Sequence, residues 1–335
     1  MTKLLPRAPL WDVLRGRAPV VGARCDPAAR RGFVSPVELR VRMGISYGDP
    51  AAEEALALGR RSGAQDFAVL GRAALAALVT PGGAGRDEPR PFIVSAQVDA
   101  LSAEEAVERI LRPAPGGRIV HFVHPHALNL AAFDKALAAR LARADLVLPD
   151  GAGLRMAAAL LGLRLRDNLN GTDLLPLLCQ GAARRGLPLA LVGGRPEIAA
   201  ACAGRLAAAA PGLQVALASD GFLDARACAD VVARIKASAP VLVLVGMGTP
   251  LQEDWAWRHL AGTPGVCVLT VGGLFDFYSG RIPRAGAAWR ELGLEWVYRL
   301  LQEPRRMAAR YLLGNPLFLG LALLQKLRGR RLGQG

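Results

Sequence analysis

The chain has 335 residues, 52% of them hydrophobic, and a formal net charge of +14, which is enough length and apolar content for a full core and more than one domain. No run of 18 apolar residues appears, so no membrane-spanning helix is expected, and the first residues lack the apolar core and small-residue cleavage site of a secretion signal. Five scattered cysteines (Cys25, Cys179, Cys202, Cys228, Cys267) show no CxxC spacing, which argues against a zinc site and fits a reducing compartment where thiols act as small buried hydrophobes.

Charge is concentrated at the ends. Residues 281–335 hold eleven Lys/Arg against three acids and residues 1–50 hold nine against four, leaving the middle near neutral. A neutral body with basic ends points to an anionic surface met by those ends, although arginine-rich coding and solubility would give the same count. Residues 1–80 are arginine-rich and poor in long apolar runs, and a Gly/Pro/charged linker follows over 81–91. An α/β domain is expected over 92–280 and a basic appendage over 281–335.

Within that domain six short runs, "RIVHFV", "ADLVLP", "LPLALVGG", "LQVALAS", "PVLVLVGMG" and "GVCVLTVGG", alternate with Ala/Leu/Arg stretches of helical period. Continuous apolar strands separated by helices predict an α/β fold with a mostly parallel, Rossmann-like sheet covered by helices on both faces. Ligands of such sheets bind at the carboxyl ends of the strands. Three of these ends carry glycine turns, "VGGRPE", "VGMGTPLQE" and "VGGLFD", which suit close approach of a phosphate to backbone N–H groups. Each turn alone reads better as a plain strand–helix corner, and three at one edge shift the balance toward a nucleotide site. No dinucleotide fingerprint or Walker lysine is present, which disfavours an oxidoreductase, and few aromatics interleave the basic ends, which disfavours a nucleic-acid partner.

In "VLPDGAG" an acid, Asp150, closes a strand. It reads either as the N-cap of the next helix or as a general base partly desolvated at the crevice. No Asp-x-Asp pair occurs in the chain, so neither a metal nor any other cofactor is expected to hold a diphosphate; arginines and backbone N–H groups must serve.

The segments "ADLVLPDGAGL", "LNGTDLL", "LALVGGRPE", "SDGFL", "VGMGTPLQEDW", "VGGLFDFYSGRIPRAG" and "LGLEWVYRLLQEPRR" resemble, in order, the motifs of the WecG/TagA/CpsF glycosyltransferases (glycosyltransferase family 26) over roughly residues 92–312. The resemblance implies inverting, metal-independent transfer of a sugar from a UDP-sugar to a polyprenyl-diphosphate-linked saccharide, with Asp150 as base. It implies donor binding by Gly171, Asp173, Gly193, Gln252, Glu253, Gly272, Gly273 and Asp276, with helix capping or a core ion pair as the alternative for Glu253 and Asp276. Arg299 and Arg306 would meet the diphosphate, with Arg305 and Arg310 nearby. His124, His126 and Asn129 would lie on the acceptor side. Two positions depart from the family pattern: His124 stands where asparagine is usual, so a ring N–H would replace an amide donor, and "RAP" has become "RAG" at Arg284–Ala285–Gly286.

The appendage is basic and amphipathic. Its stretch "YLLGNPLFLGLALLQKLRGRR" is expected to be too interrupted by Asn315-Pro316 to span a bilayer but suited to an anionic membrane surface; a helix packed on the domain is the alternative. Trp289, Trp296 and Tyr298 are candidate interfacial anchors, with core packing the better reading of Trp296. The family setting implies a peripheral protein at the cytoplasmic face of the inner membrane, in exopolysaccharide or other surface-polysaccharide assembly. Self-association as a homo-oligomer is compatible with the sequence. The stretches "PLWDVLRGRAPVVGARC", "GISYGDP" and "AQDFAVLGRAALAALV" resemble the C-terminal part of bacterial sugar transferases that load a sugar-1-phosphate onto polyprenyl phosphate. That family's membrane-entering helix and acidic catalytic segment have no counterpart here, so a remnant or docking module is expected. The competing functional reading is a catalytically impaired scaffold for such a phosphotransferase.

Overall fold

The computed structural model describes residues 7–25, 29–37, 50–59, 66, 69–70, 86–285 and 295–329. Trp289, Gly286 and the "GISYG" stretch lie outside the described residues, as does most of the "AQDFAVLGRAALAALV" stretch. The chain forms two compact units, one of residues 1–84 with 285–301 and one of residues 85–284 with 302–335.

The first unit contains helices α1 (Leu10–Leu14) and α2 (Pro50–Gly59). Two short parallel bridges, Val21 with Val34 and Ala23 with Arg31, bring its loops side by side. Glu54 of α2 is buried among them. Its carboxylate accepts the Arg24 N–H at 2.9 Å and the Cys25 N–H at 2.7 Å, and also the Ser35 hydroxyl. The "GARC" corner thus has its two backbone donors satisfied by the unit's own acid, as burial demands.

The second unit begins with an antiparallel hairpin, β1 (Phe92–Ile93) and β2 (Ala96–Gln97). Its main sheet comprises β3 (Arg118–Val123), β4 (Leu146–Pro149), β5 (Leu189–Gly193), β6 (Val215–Ser219), β7 (Val241–Gly246) and β8 (Val266–Thr270). All six expected runs form these strands, in the order β4-β3-β8-β7-β5-β6 with every pairing parallel. β4, β5, β7 and β8 are apolar almost throughout because both faces are covered.

On one face Leu191, Leu244 and Leu269 pack with α3 (Ala103–Leu111), α7 (Gly171–Arg184), α8 (Pro196–Ala209) and the short α11 (Leu274–Tyr278). On the other, Val243 and Val268 pack with α9 (Ala225–Ala237) and α10 (Leu251–Leu260). Val123 and Val147 meet α4 (Pro125–Phe133), α5 (Lys135–Arg143) and α6 (Ala152–Leu160). Each large side chain buried here contributes roughly 1.5–3 kcal/mol. β5 leads outward to β6 whereas β7 leads the opposite way to β8, so the chain reverses direction between β5 and β7. A reversal of this kind opens a crevice at the carboxyl edge.

After α12 (Glu295–Gln302), residues Pro304–Arg328 run as one helix: α13 (Pro304–Ala308), a π-helical turn at Ala309–Leu313, and α14 (Gly314–Arg328). Asn315-Pro316 does not interrupt it. The wider π turn just before shifts the hydrogen-bond register and accommodates the proline's missing N–H. By length and composition this helix is apolar enough to cross a membrane. It is nevertheless fastened to the domain: Phe318 and Ala322 are buried with α4 and α6, and Gln325 grips the hairpin by accepting the Val94 N–H at 2.7 Å and donating to the Phe92 carbonyl at 2.9 Å.

Candidate active site at the carboxyl edge of the sheet

Because all six strands are parallel, every predicted strand-end motif emerges at one edge. At the β5/β7 reversal the backbone is bare: a Cβ added to Gly193 would lie 2.4 Å from the Gly246 carbonyl oxygen, and one added to Gly246 would lie 2.9 Å from that of Gly272. Glycine is required there because three strand ends meet without room for side chains.

Beside them stands the "TPLQE" corner. Gln252 and Glu253 are each 2% exposed. The Gln252 carbonyl oxygen accepts the Gly272 N–H at 2.9 Å, and its amide donates to Glu253 Oε1 at 2.8 Å. Thr249 Oγ1 donates to the same oxygen at 3.1 Å. Glu253 Oε2 is buried without a hydrogen-bond partner among the described residues. Burial pushes the Glu253 carboxyl above its ordinary range, opposed by the bonds from Gln252 and Thr249 and by the charge of Arg140. Gly272 adopts a left-handed φ of 58°, a conformation that its missing side chain permits, and its N–H meets Gln252 there.

Asp150 follows β4, with its N–H continuing the ladder to the Val123 carbonyl at 2.8 Å. The N-cap of α6 is Gly151, not Asp150, and no side chain caps that helix. Asn168, which sequence reasoning missed, accepts the Gly151 N–H at 2.9 Å, and Leu169 donates to the Pro149 carbonyl at 3.1 Å. The "DNLNGTD" loop therefore braces the turn that presents Asp150. β4 and β7 are three places apart in the sheet, which sets Asp150 and the Gln252 corner on the order of 14 Å apart at ~4.8 Å per strand.

The helices that follow β4, β5 and β7 (α6, α8 and α10) all lack a side-chain cap. Those at α3, α4, α5, α7 and α9 are capped by Ser102, His124, Asp134, Asn170 and Asp224. Uncapped N-termini present backbone N–H groups and positive helix ends, which suit an anion.

Other expected residues are held in pairs. Asp173 receives the Asn170 amide at 2.7 Å and forms an ion pair with Arg284, so "GTD" is tied to "RAG". Gly171 opens α7 against Leu274. Gly273 is the N-cap of α11, and Asp276 inside it pairs with Arg281 at 2.8 Å. Arg306, 54% exposed, reaches Asp276 at 3.7 Å and Glu303 at 3.3 Å. Such exposed pairs contribute at most ~1 kcal/mol, and both are made through one nitrogen, Nη1, of the Arg306 guanidinium. Arg299 lies in α12, within the first unit, as do the half-buried Trp296 and Tyr298.

The His124 ring accepts rather than donates at its Nδ1. As the N-cap of α4 it takes the Ala127 N–H at 3.1 Å, and its Nε2 lies 2.6 Å from Arg310 Nη2. Burial and then Arg310 hold the His126 ring below its ordinary range. Asn129 donates to the Gly314 carbonyl at 2.7 Å. The "HPHALN" segment therefore receives the C-terminal helix at this edge. Among the described residues no group of three or more His, Cys, Asp or Glu is arranged to hold a metal ion.

Residues 92–332 match the family model described as the glycosyl transferase WecG/TagA/CpsF family. Among characterised proteins the chain is similar to the N-acetylglucosaminyldiphosphoundecaprenol N-acetyl-beta-D-mannosaminyltransferase of Bacillus spizizenii, with 35% identity over 167 residues. The matched stretch covers 50% of this chain and 64% of that relative's length. With well over half of its residues inside the family match, the chain belongs to the WecG/TagA/CpsF family of glycosyltransferases.

Proposed function

We propose that the chain is an inverting, metal-independent glycosyltransferase that moves a sugar from a UDP-sugar to a polyprenyl-diphosphate-linked saccharide. The carrying observation is the convergence of Asp150, the Gln252–Gly272 corner and three uncapped helix N-termini on one edge of the sheet.

In this mechanism Asp150 takes the proton of the acceptor hydroxyl as its oxygen attacks the anomeric carbon. The new carbon–oxygen bond forms as the bond to the diphosphate breaks, and UDP leaves with the charge. Arg306 and the uncapped helix ends stabilise that charge in the way a preorganised oxyanion site does. Gln252 and Glu253 hold the glycine turn that forms the donor floor. His124, His126 and Asn129 lie on the acceptor side, where His124 and Asn129 also anchor the C-terminal helix. The exposed leucines and basic residues of that helix would rest peripherally on the anionic cytoplasmic face of the inner membrane, where the lipid-linked acceptor resides. Surface-polysaccharide assembly, including exopolysaccharide, is the setting this chemistry serves.

The Bacillus relative's name makes N-acetylmannosamine the first sugar to test and N-acetylglucosaminyl diphosphoundecaprenol the first acceptor. The full chain is incubated with that acceptor and a panel of labelled UDP-sugars. Label entering the lipid fraction from one donor, without added divalent metal and with chelator present, is expected. No transfer from any donor, in a reaction where a control enzyme glycosylates the same acceptor, would overturn the reading.

A further inference from the structure

On the outer side of the sheet, α5 and α10 flank an open cavity of about 420 Å³ lined by Arg140, Arg143, Asp254, Trp257, Arg258 and Ala261. Three arginines and one carboxylate line it. Asp254 is bonded on one oxygen by Arg140 and on the other by Arg258, both at 2.5 Å. The Arg143 guanidinium lies 4.8 Å from the centre of the Trp257 ring.

The aromatic wall is fixed from beneath. The Trp257 indole N–H donates inward to His121 Nε2 at 3.2 Å, which assigns the ring's own proton to Nδ1, facing Thr270 Oγ1 at 2.9 Å. His121 is fully buried, and burial holds its pKa near 3, so the ring remains a neutral acceptor. Trp257 cannot swing out without losing that bond, and its face stays available to Arg143.

We propose that this cavity is an anion-binding site for a phosphate group. Asp254 orients Arg140 and Arg258 but neutralises only one of the three positive charges, and each guanidinium retains N–H donors beyond those it spends on the carboxylate. A phosphate, with several acceptor oxygens around a tetrahedral centre, can meet three guanidinium groups at once, and arginine pairs with it through two parallel bonds. The cavity adjoins the Gln252–Glu253 corner without including it: Asp254 follows Glu253 in the first turn of α10, and Arg140 acts on Glu253 through its charge, but neither Gln252 nor Glu253 lines the cavity. The phosphate is supplied either by a soluble diphosphate or by the headgroup of an anionic lipid.

Calorimetric titration of the full chain with inorganic pyrophosphate, beside flotation with phosphatidylglycerol vesicles, tests the proposal. The variants are Arg143→Gln with Arg258→Gln, both at exposed positions, and Arg306→Gln as the comparison for the carboxyl edge. Saturable pyrophosphate binding that weakens at least ~10-fold in the double variant, and persists in Arg306→Gln, is the expected result for a soluble ligand. Vesicle binding that weakens in the double variant while pyrophosphate binding does not would assign the site to a lipid headgroup. A double variant that binds both probes as the wild type does, or a wild type that binds neither, would overturn the proposal. The Arg143→Lys, Arg258→Lys pair keeps the charge but removes the planar forks, and intermediate binding is expected of it.

Discussion

At the scale of single residues, the Gln252–Glu253 pair shows how much a buried polar group constrains. Gln252 is fully employed: its oxygen holds the Gly272 N–H and its amide holds Glu253. Glu253 has one oxygen engaged and one buried without a partner among the described residues, a costly arrangement for a charged carboxylate. Its pKa is accordingly raised from the ordinary 4.5, chiefly by burial. A raised acid binds its proton more readily in the folded chain than in the unfolded one. The stability it contributes is full below 4.5 and is lost as pH rises through the raised value. In Glu253→Gln that loss should vanish. Urea midpoints measured from pH 5 to pH 8 are expected to fall more steeply for the wild type than for the variant, and parallel curves would contradict the burial of a titrating carboxyl here.

Among the elements, the C-terminal helix combines two roles that the sequence presents as alternatives. One face is packed, with Phe318 and Ala322 buried, Asn129 bonded to Gly314 and Gln325 clasping the hairpin. The other exposes Leu313, Leu317, Leu323, Leu324 and Leu327, followed by basic residues at the helix end. Removing the whole segment would uncover the core beneath it, so surface changes are the sharper test. The triple variant Leu313→Gln, Leu317→Gln, Leu327→Gln removes side chains each worth roughly 1.5–3 kcal/mol on burial in lipid. It should keep the wild-type thermal midpoint yet bind anionic vesicles at least ~10²-fold more weakly. Unchanged flotation would show that these leucines do not meet the membrane.

For the whole molecule, the layout of the sheet was legible because parallel strands covered on both faces are written as short continuous apolar runs. All six such runs became strands, and Asp150, Gly193, Gln252 and Gly272 came to the edge that strand direction dictates. Unlegible were the contacts that join distant segments: Gln252 with Gly272, Arg284 with Asp173, Arg310 with His124, and Gln325 with the first hairpin. Local periodicity carries no record of which loops a sheet order brings together. His124 illustrates the limit, since its type did not foretell that its Nδ1 would accept the Ala127 N–H at a helix start. Pro316 illustrates another, since a π turn five residues long allowed the helix to continue where the dipeptide read as a stop.

The central claim is that the acid closing β4 performs chemistry. Its helix is capped in position by Gly151, so capping does not account for Asp150. Steady-state turnover of Asp150→Asn beside the wild type, with donor binding followed separately, tests this most directly. The account predicts unchanged donor binding and turnover reduced at least ~10²-fold, the scale of a positioned general base. Turnover within a few-fold of the wild type would place the base elsewhere and contradict it.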